Sequence, residues 1–99
     1  MHFLIIAHDG EDEGATSRRM AARESHLASI THLKAQGKAL YGTALVDENG
    51  VMRGSVLIMN YGTQEEFDRY LAEEPYVTGD VWRHIEVKRC RVPELFLKT

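Results

Sequence analysis

The 99 residues suffice for a single domain, 1–99, with one modest core, and the 43% hydrophobic and 27% charged shares are those of an ordinary globular protein. A net charge of -3 and a pI near 5.9 leave no basic face for nucleic acid. No run is apolar for long enough to cross a membrane, so neither nucleic acid nor membrane is an expected partner.

The first nine residues hold a five-residue apolar run, Phe3-Leu4-Ile5-Ile6-Ala7, and read as a buried strand. The run is too short for a signal-peptide core, and no basic segment precedes it. Cys90 is the single cysteine, so no intrachain disulfide is possible, and a reduced, cytoplasmic setting is expected. An acidic, glycine-flanked loop spans 10–14, after which Thr16 or Ser17 is placed to cap a helix reaching about Gln36. On that helix Ala22, His26, Ile30 and Leu33 fall on one stripe, with Met20, Leu27 and Thr31 beside it. Gly37 is placed to stop it.

Residues 38–46 read as a second strand and 51–61 as a third, joined by Asp47-Glu48-Asn49-Gly50, where Asn-Gly signals a tight hairpin turn. The near-continuous apolar run Val56-Leu57-Ile58-Met59 predicts a central strand covered on both faces. Thr63 and Glu66 form a capping box for a second helix with a narrow stripe of Phe67, Tyr70 and Leu71, and Pro75 ends it. A short turn through Tyr76 to Val81 leads to a last strand from Trp82 to about Val92, where Ile85 and Val87 alternate with His84, Glu86 and Lys88. The basic cluster Lys88-Arg89-Cys90-Arg91 reads as a solvated strand edge, with Cys90 half-buried within it.

The order β-α-β-β-α-β is the ferredoxin-like plan, an α+β fold with a four-stranded antiparallel sheet and both helices on one face. The other sheet face is left for a second copy of the chain, so a homodimer or a larger homo-oligomer is expected. The apolar tail Leu95-Phe96-Leu97 would wrap that partner or join the larger assembly.

Chemistry is sought in two segments, Arg23-Glu24-Ser25-His26-Leu27 and Glu74-Pro75-Tyr76-Val77. His26 should point toward the sheet, either as half of a histidine–carboxylate pair or as a buried histidine donating to a backbone carbonyl. Glu74, constrained by Pro75, is the first candidate partner, although a carboxylate at a helix C-terminus is disfavoured by about 0.3–1 kcal/mol. Asp9, closing the first strand, is the second candidate; its alternative is a turn residue before Gly10. Arg23 is placed to hold a substrate carboxylate or to pair with Glu24. Tyr76 and Trp82 either wall the pocket or pack the core. His8, His32 and His84 share no metal-ligand spacing, His26 and His32 lie on opposite helix faces, and no glycine-rich phosphate loop is present. No metal and no cofactor are expected, and the ligand is a small organic molecule.

These two segments, with Gly54-Ser55 opening a central strand, Asp9, Gly37 and Gly42, resemble the YciI-like (YCII-related) family along nearly the whole chain. The resemblance implies a dimeric α+β barrel built of ferredoxin-like units, with a pocket between helices and sheet and a site using a histidine and an acidic residue. Most members have no established reaction; a few relatives eliminate chloride from chlorinated aromatic breakdown products. His26 matches the family histidine, Arg23 the arginine three before it, and Asp9 the aspartate closing the first strand. Glu74 stands where the family usually has aspartate before Pro-Tyr, which keeps the charge and lengthens the reach by one methylene. The loop at Asn49-Gly50 is also short, which alters a pocket rim.

The leading reading is a small cofactor-independent enzyme of lyase, dehydrochlorinase or hydrolase type. In it His26 acts as general base or acid on a small cyclic or unsaturated substrate, and Glu74 or Asp9 orients the ring. The alternative is a non-catalytic homodimer that holds a small ligand or serves as an accessory to another enzyme. A cofactor-free monooxygenase rests on fold analogy alone. An enclosed cavity with His26 and a carboxylate within hydrogen-bond reach favours catalysis; a histidine packed dry favours the structural role.

Overall fold

In the computed structural model, which describes residues 1–97, strand β1 (His2–Asp9) alternates so that Phe3, Ile5 and Ala7 are fully buried on one face. Helix α1 (Ala15–Ala35) follows, then the hairpin of β2 (Ala39–Val46) and β3 (Met52–Asn60). Helix α2 (Gln64–Glu73), the single turn α3 (Pro75–Thr78), β4 (Trp82–Cys90) and a 3-10 turn (Glu94–Phe96) complete the chain. The strands form one antiparallel sheet in the order β2-β3-β1-β4. This is the α+β, ferredoxin-like arrangement expected from the element order. No helix of the described residues is long and apolar enough to cross a membrane.

Register decides which side chains share a face. Ile5 sits between Leu57 and Val87, and Ala7 between Ser55 and Ile85. The helices cover this face: Phe67 of α2 stacks on Phe3 at 4.1 Å, and Ala22, Ile30 and Leu33 of α1 pack against the same core. The opposite face carries Leu4, Ile6, Val56 and Ile58, only half-buried, and Tyr41, which is 61% exposed. Thus β3 is central in the sheet, but within one chain its second face is not buried as the apolar run had suggested. At its margin Phe96 and Leu97 line a cavity with Leu4 and Ile58. Lys98 and Thr99, the end of the apolar tail, lie outside the described residues.

Local chemistry sets the ends of the elements. Helix α1 starts two or three residues earlier than expected, with Gly14 as its N-cap, and neither Thr16 nor Ser17 caps it. Asp12 organises that end instead, accepting the Gly14 N–H at 3.2 Å and both Nη groups of Arg18 at 2.6 and 2.8 Å. At the other end Gly37 adopts φ +76°, and the N–H groups of Gly37 and Lys38 donate to Lys34 and Leu33, closing a Schellman motif that a Cβ would strain. The hairpin is wider than a two-residue Asn-Gly turn. Gly50 donates to the Asp47 carbonyl and holds φ +79°, while Asp47 Oδ1 accepts from Asn49 and Val51. The aspartate's own side chain makes the three-residue loop with a bulge glycine the better solution. The Thr63 hydroxyl accepts the Glu66 N–H at 3.1 Å at the start of α2.

Candidate active site

Residues 73–76 shape the site. The residue before a proline is pushed out of the helical region, and Glu74 accordingly has φ −59° and ψ 126°. That single extended residue ends α2. Pro75, with its fixed φ and no N–H to lose, then starts α3 where a plain turn was expected. Glu74 therefore caps α3 as well as closing α2: its Oε1 accepts the Tyr76 N–H at 3.3 Å. The unfavourable helix end read from the sequence is offset by this donor at the start of α3.

Glu74 is 1% exposed and its other partners are side chains. Oε2 accepts the Tyr70 hydroxyl at 2.5 Å, one helical turn upstream. Oε1 also meets Nδ1 of His26 from α1. Burial, reinforced by the neighbouring Glu74 charge, pushes the Tyr70 hydroxyl far above its ordinary range, so it stays protonated and donates. Burial and the same carboxylate push Tyr61, stacked on Tyr70 at 5.6 Å, up to about 12.

His26 itself is 7% exposed. Tyr76 stacks on it at 4.0 Å, and Trp82 meets it edge-on at 6.3 Å. Burial raises the Tyr76 phenol, partly countered by Arg19 and Arg23. On its remaining side His26 lines a cavity of about 270 Å³ between α1 and the β2–β3 hairpin. Arg19, Arg23, Thr43, Ser55 and Tyr76 belong to the polar part of the wall, and Leu27, Ile30, Met52 and Leu57 to the apolar part.

Of the residues singled out in the sequence, His26, Glu74, Arg23 and Tyr76 converge here. Asp9 does not reach His26. It is held by Arg19, whose Nη1 donates to both carboxylate oxygens at 3.0 and 3.1 Å, so its place at the end of β1 serves an ion pair beneath α1. Trp82 is not part of the cavity wall. Its indole N–H donates to Ser55 Oγ at 3.2 Å, and its ring backs Tyr76 at 5.6 Å. Arg23 lines the cavity and pairs with no carboxylate among the described residues.

Three residues join the site that the sequence reading passed over. Arg19 is 3% exposed and lies seven positions before His26, two turns along the same stripe; that spacing was the available signal. Ser55 alternates with Leu57 and Met59 on the helix-facing side of β3. Tyr70 is four residues before Glu74 and so shares its face of α2. Among the described residues no group of three His, Cys, Asp or Glu side chains is gathered to hold a metal.

Residues 1–91 match the model of the YCII-related domain family. The chain is 30% identical over 94 residues to an uncharacterized protein of Haemophilus influenzae, covering 89% of this chain and 94% of that one. It is 29% identical over 94 residues to protein YciI of Escherichia coli, again covering 89% and 94% of the two chains. Among solved structures it is similar to 5-chloro-2-hydroxyhydroquinone dehydrochlorinase (TftG) from Burkholderia phenoliruptrix, in complex with 2,5-dihydroxybenzoquinone. That likeness has a TM-score of 0.79 and 25% identity, and covers 96% of this chain and 98% of that one.

Proposed function

The chain belongs to the YCII-related family, and we propose that it is a cofactor-independent enzyme performing acid–base chemistry on a small organic molecule. The observation that carries this reading is a histidine lining a cavity while a buried carboxylate occupies its other ring nitrogen. With Nδ1 committed to Glu74, Nε2 is the nitrogen left to exchange a proton with substrate. In an elimination, Nε2 takes a proton from carbon, the freed pair forms the new double bond, and the leaving group departs with its own pair. Glu74 stabilises the imidazolium that results, and Tyr70 and the Tyr76 N–H hold that carboxylate in place. Tyr76 offers its flank as a platform, and Arg23 contacts the substrate. A dehydrochlorinase as structural neighbour supports the lyase type over hydrolysis.

The test is a screen of small lactones and halogenated acids against wild type and His26→Ala. Turnover by wild type that His26→Ala loses is the expected result; turnover equal in both defeats the proposal.

The same reading includes a homodimer. The half-buried Leu4, Ile6, Val56 and Ile58 and the exposed Tyr41 are what a second copy would cover.

A further inference from the structure

We infer that Ser55 donates a hydrogen bond to the ligand and, with Arg19 and Arg23, forms a site for an oxyanion: a phenolate, an enolate or a carboxylate. The inference rests on the cavity beside His26 being the substrate site.

Ser55 Oγ accepts from Arg19 Nη2 at 3.0 Å and from Trp82 Nε1 at 3.2 Å. Guanidinium and indole N–H groups only donate. A hydroxyl oxygen has two lone pairs, and both are taken. Its own proton must therefore go to a third direction, and no group among the described residues receives it there. Ser55 is 2% exposed and borders the cavity, so the vacant acceptor position belongs to a ligand atom.

Charge selects the kind of atom. Two arginines border the cavity and no carboxylate does. Asp9 and Glu74 each bind a residue of the wall without lining the cavity themselves. Arg19 is buried and its Nε has no hydrogen-bond partner. Arg23 is half-buried on the cavity wall and pairs with no carboxylate among the described residues, so an oxyanion gains charge-assisted contacts from Arg23 and Ser55 that a neutral ligand lacks, and a cation is repelled. The apolar side of the cavity then receives the rest of the ligand.

Calorimetric titration of the full chain with 4-nitrophenolate, 4-nitrobenzoate and neutral 4-nitroanisole tests this. At least one anion should bind about tenfold or more tightly than the anisole. Tighter binding of the phenolate points to a phenolate or enolate substrate, tighter binding of the benzoate to a carboxylate. The phenolate bound to wild type should absorb at shorter wavelength than the phenolate bound to Ser55→Ala, a shift that donation to its oxygen produces. Ser55→Ala should weaken anion binding about tenfold. Arg23→Gln should weaken binding and its salt dependence while keeping the shift. Because Ser55→Ala also strips a partner from Arg19 and Trp82, Ser55→Thr is included; it restores the hydroxyl and should restore the shift. Equal affinity for the anisole, no binding of either anion, or a band at the same wavelength in wild type and folded Ser55→Ala overturns the inference. His26→Ala separates the two claims. Loss of turnover there without any anion preference in wild type sinks this inference alone. Anion preference with turnover intact in His26→Ala sinks the acid–base reading alone.

Discussion

His26 lies flat against Tyr76, with ring planes 15° from parallel, while its edge meets the carboxylate two residues before that tyrosine. One short stretch of chain thus fixes both the tilt of the imidazole and the tautomer it presents. A ring held in this way is prepared for proton transfer, because little reorientation accompanies the reaction.

His26→Ala should lower turnover of any substrate found by about 10²–10⁴-fold while leaving the far-ultraviolet circular dichroism of the folded chain unchanged. Glu74→Gln should lower it less, since it keeps the shape and loses the charge. An unfolded His26→Ala protein would make the histidine a packing residue.

Asp9 and Arg19 form a buried ion pair, with side chains 3% and 4% exposed. Removing one partner leaves the other charged in a dry site. Asp9→Ala should therefore cost about 3–5 kcal/mol in chemical denaturation. The double variant Asp9→Leu with Arg19→Met should lose less than Asp9→Ala alone. A single variant as stable as wild type would contradict the burial of this pair.

Alkaline pH should weaken the fold through Tyr61 and Tyr70. An unfolded tyrosine releases its proton near 10.0, whereas folded Tyr61 holds it up to about 12 and Tyr70 higher still. Above pH 10 the unfolded chain therefore binds fewer protons than the native one, and stability falls as pH rises. The contribution is complete below the unfolded value and is lost as pH climbs through the folded one. Denaturation midpoints should drop between pH 10 and 12 in wild type and drop less in Tyr61→Phe. Parallel curves for the two proteins would rule this out.

Sedimentation of wild type should give twice the chain mass at micromolar concentration. Ile58→Lys, at the centre of the open sheet face, should give the mass of one chain. Deleting everything after Pro93 should shift the assembly or its stability, since Leu95 and Phe96 are each 71% exposed. A single-chain mass for wild type would defeat the dimer.

What the sequence made legible was whatever is decided within a few residues. Gly37 after an apolar stripe, Thr63 three before Glu66, and Pro75 after Glu74 each act on their own backbone, and their effects were readable. Partners brought together by the sheet were harder. Arg19 looks like a flanking charge until Asp9 is seen beneath it, and the burial of both depends on β1 running under α1. Asp9 looked free to meet His26 for the same reason. Ser55 gave no sign that both its lone pairs would be occupied, because Trp82 reaches it across β1 from the far edge of the sheet. Pro75 was read as a stop, although the same fixed φ also begins α3. The apolar run of β3 marked it as central, and its pairing agrees, but composition alone does not say whether its second face is buried by the chain itself.

The two halves of the polar pair are 48 positions apart, and this separation governs how the site comes into being during folding. A nascent or partly folded chain with α1 docked on β1 and β3 already has Arg19 and Ser55 in place. It still lacks the carboxylate, which arrives only when α2 and α3 settle behind the histidine. Docking of α2 and α3 against α1 therefore completes the His26–Glu74 pair, and recovery of activity during refolding should come no earlier than that contact.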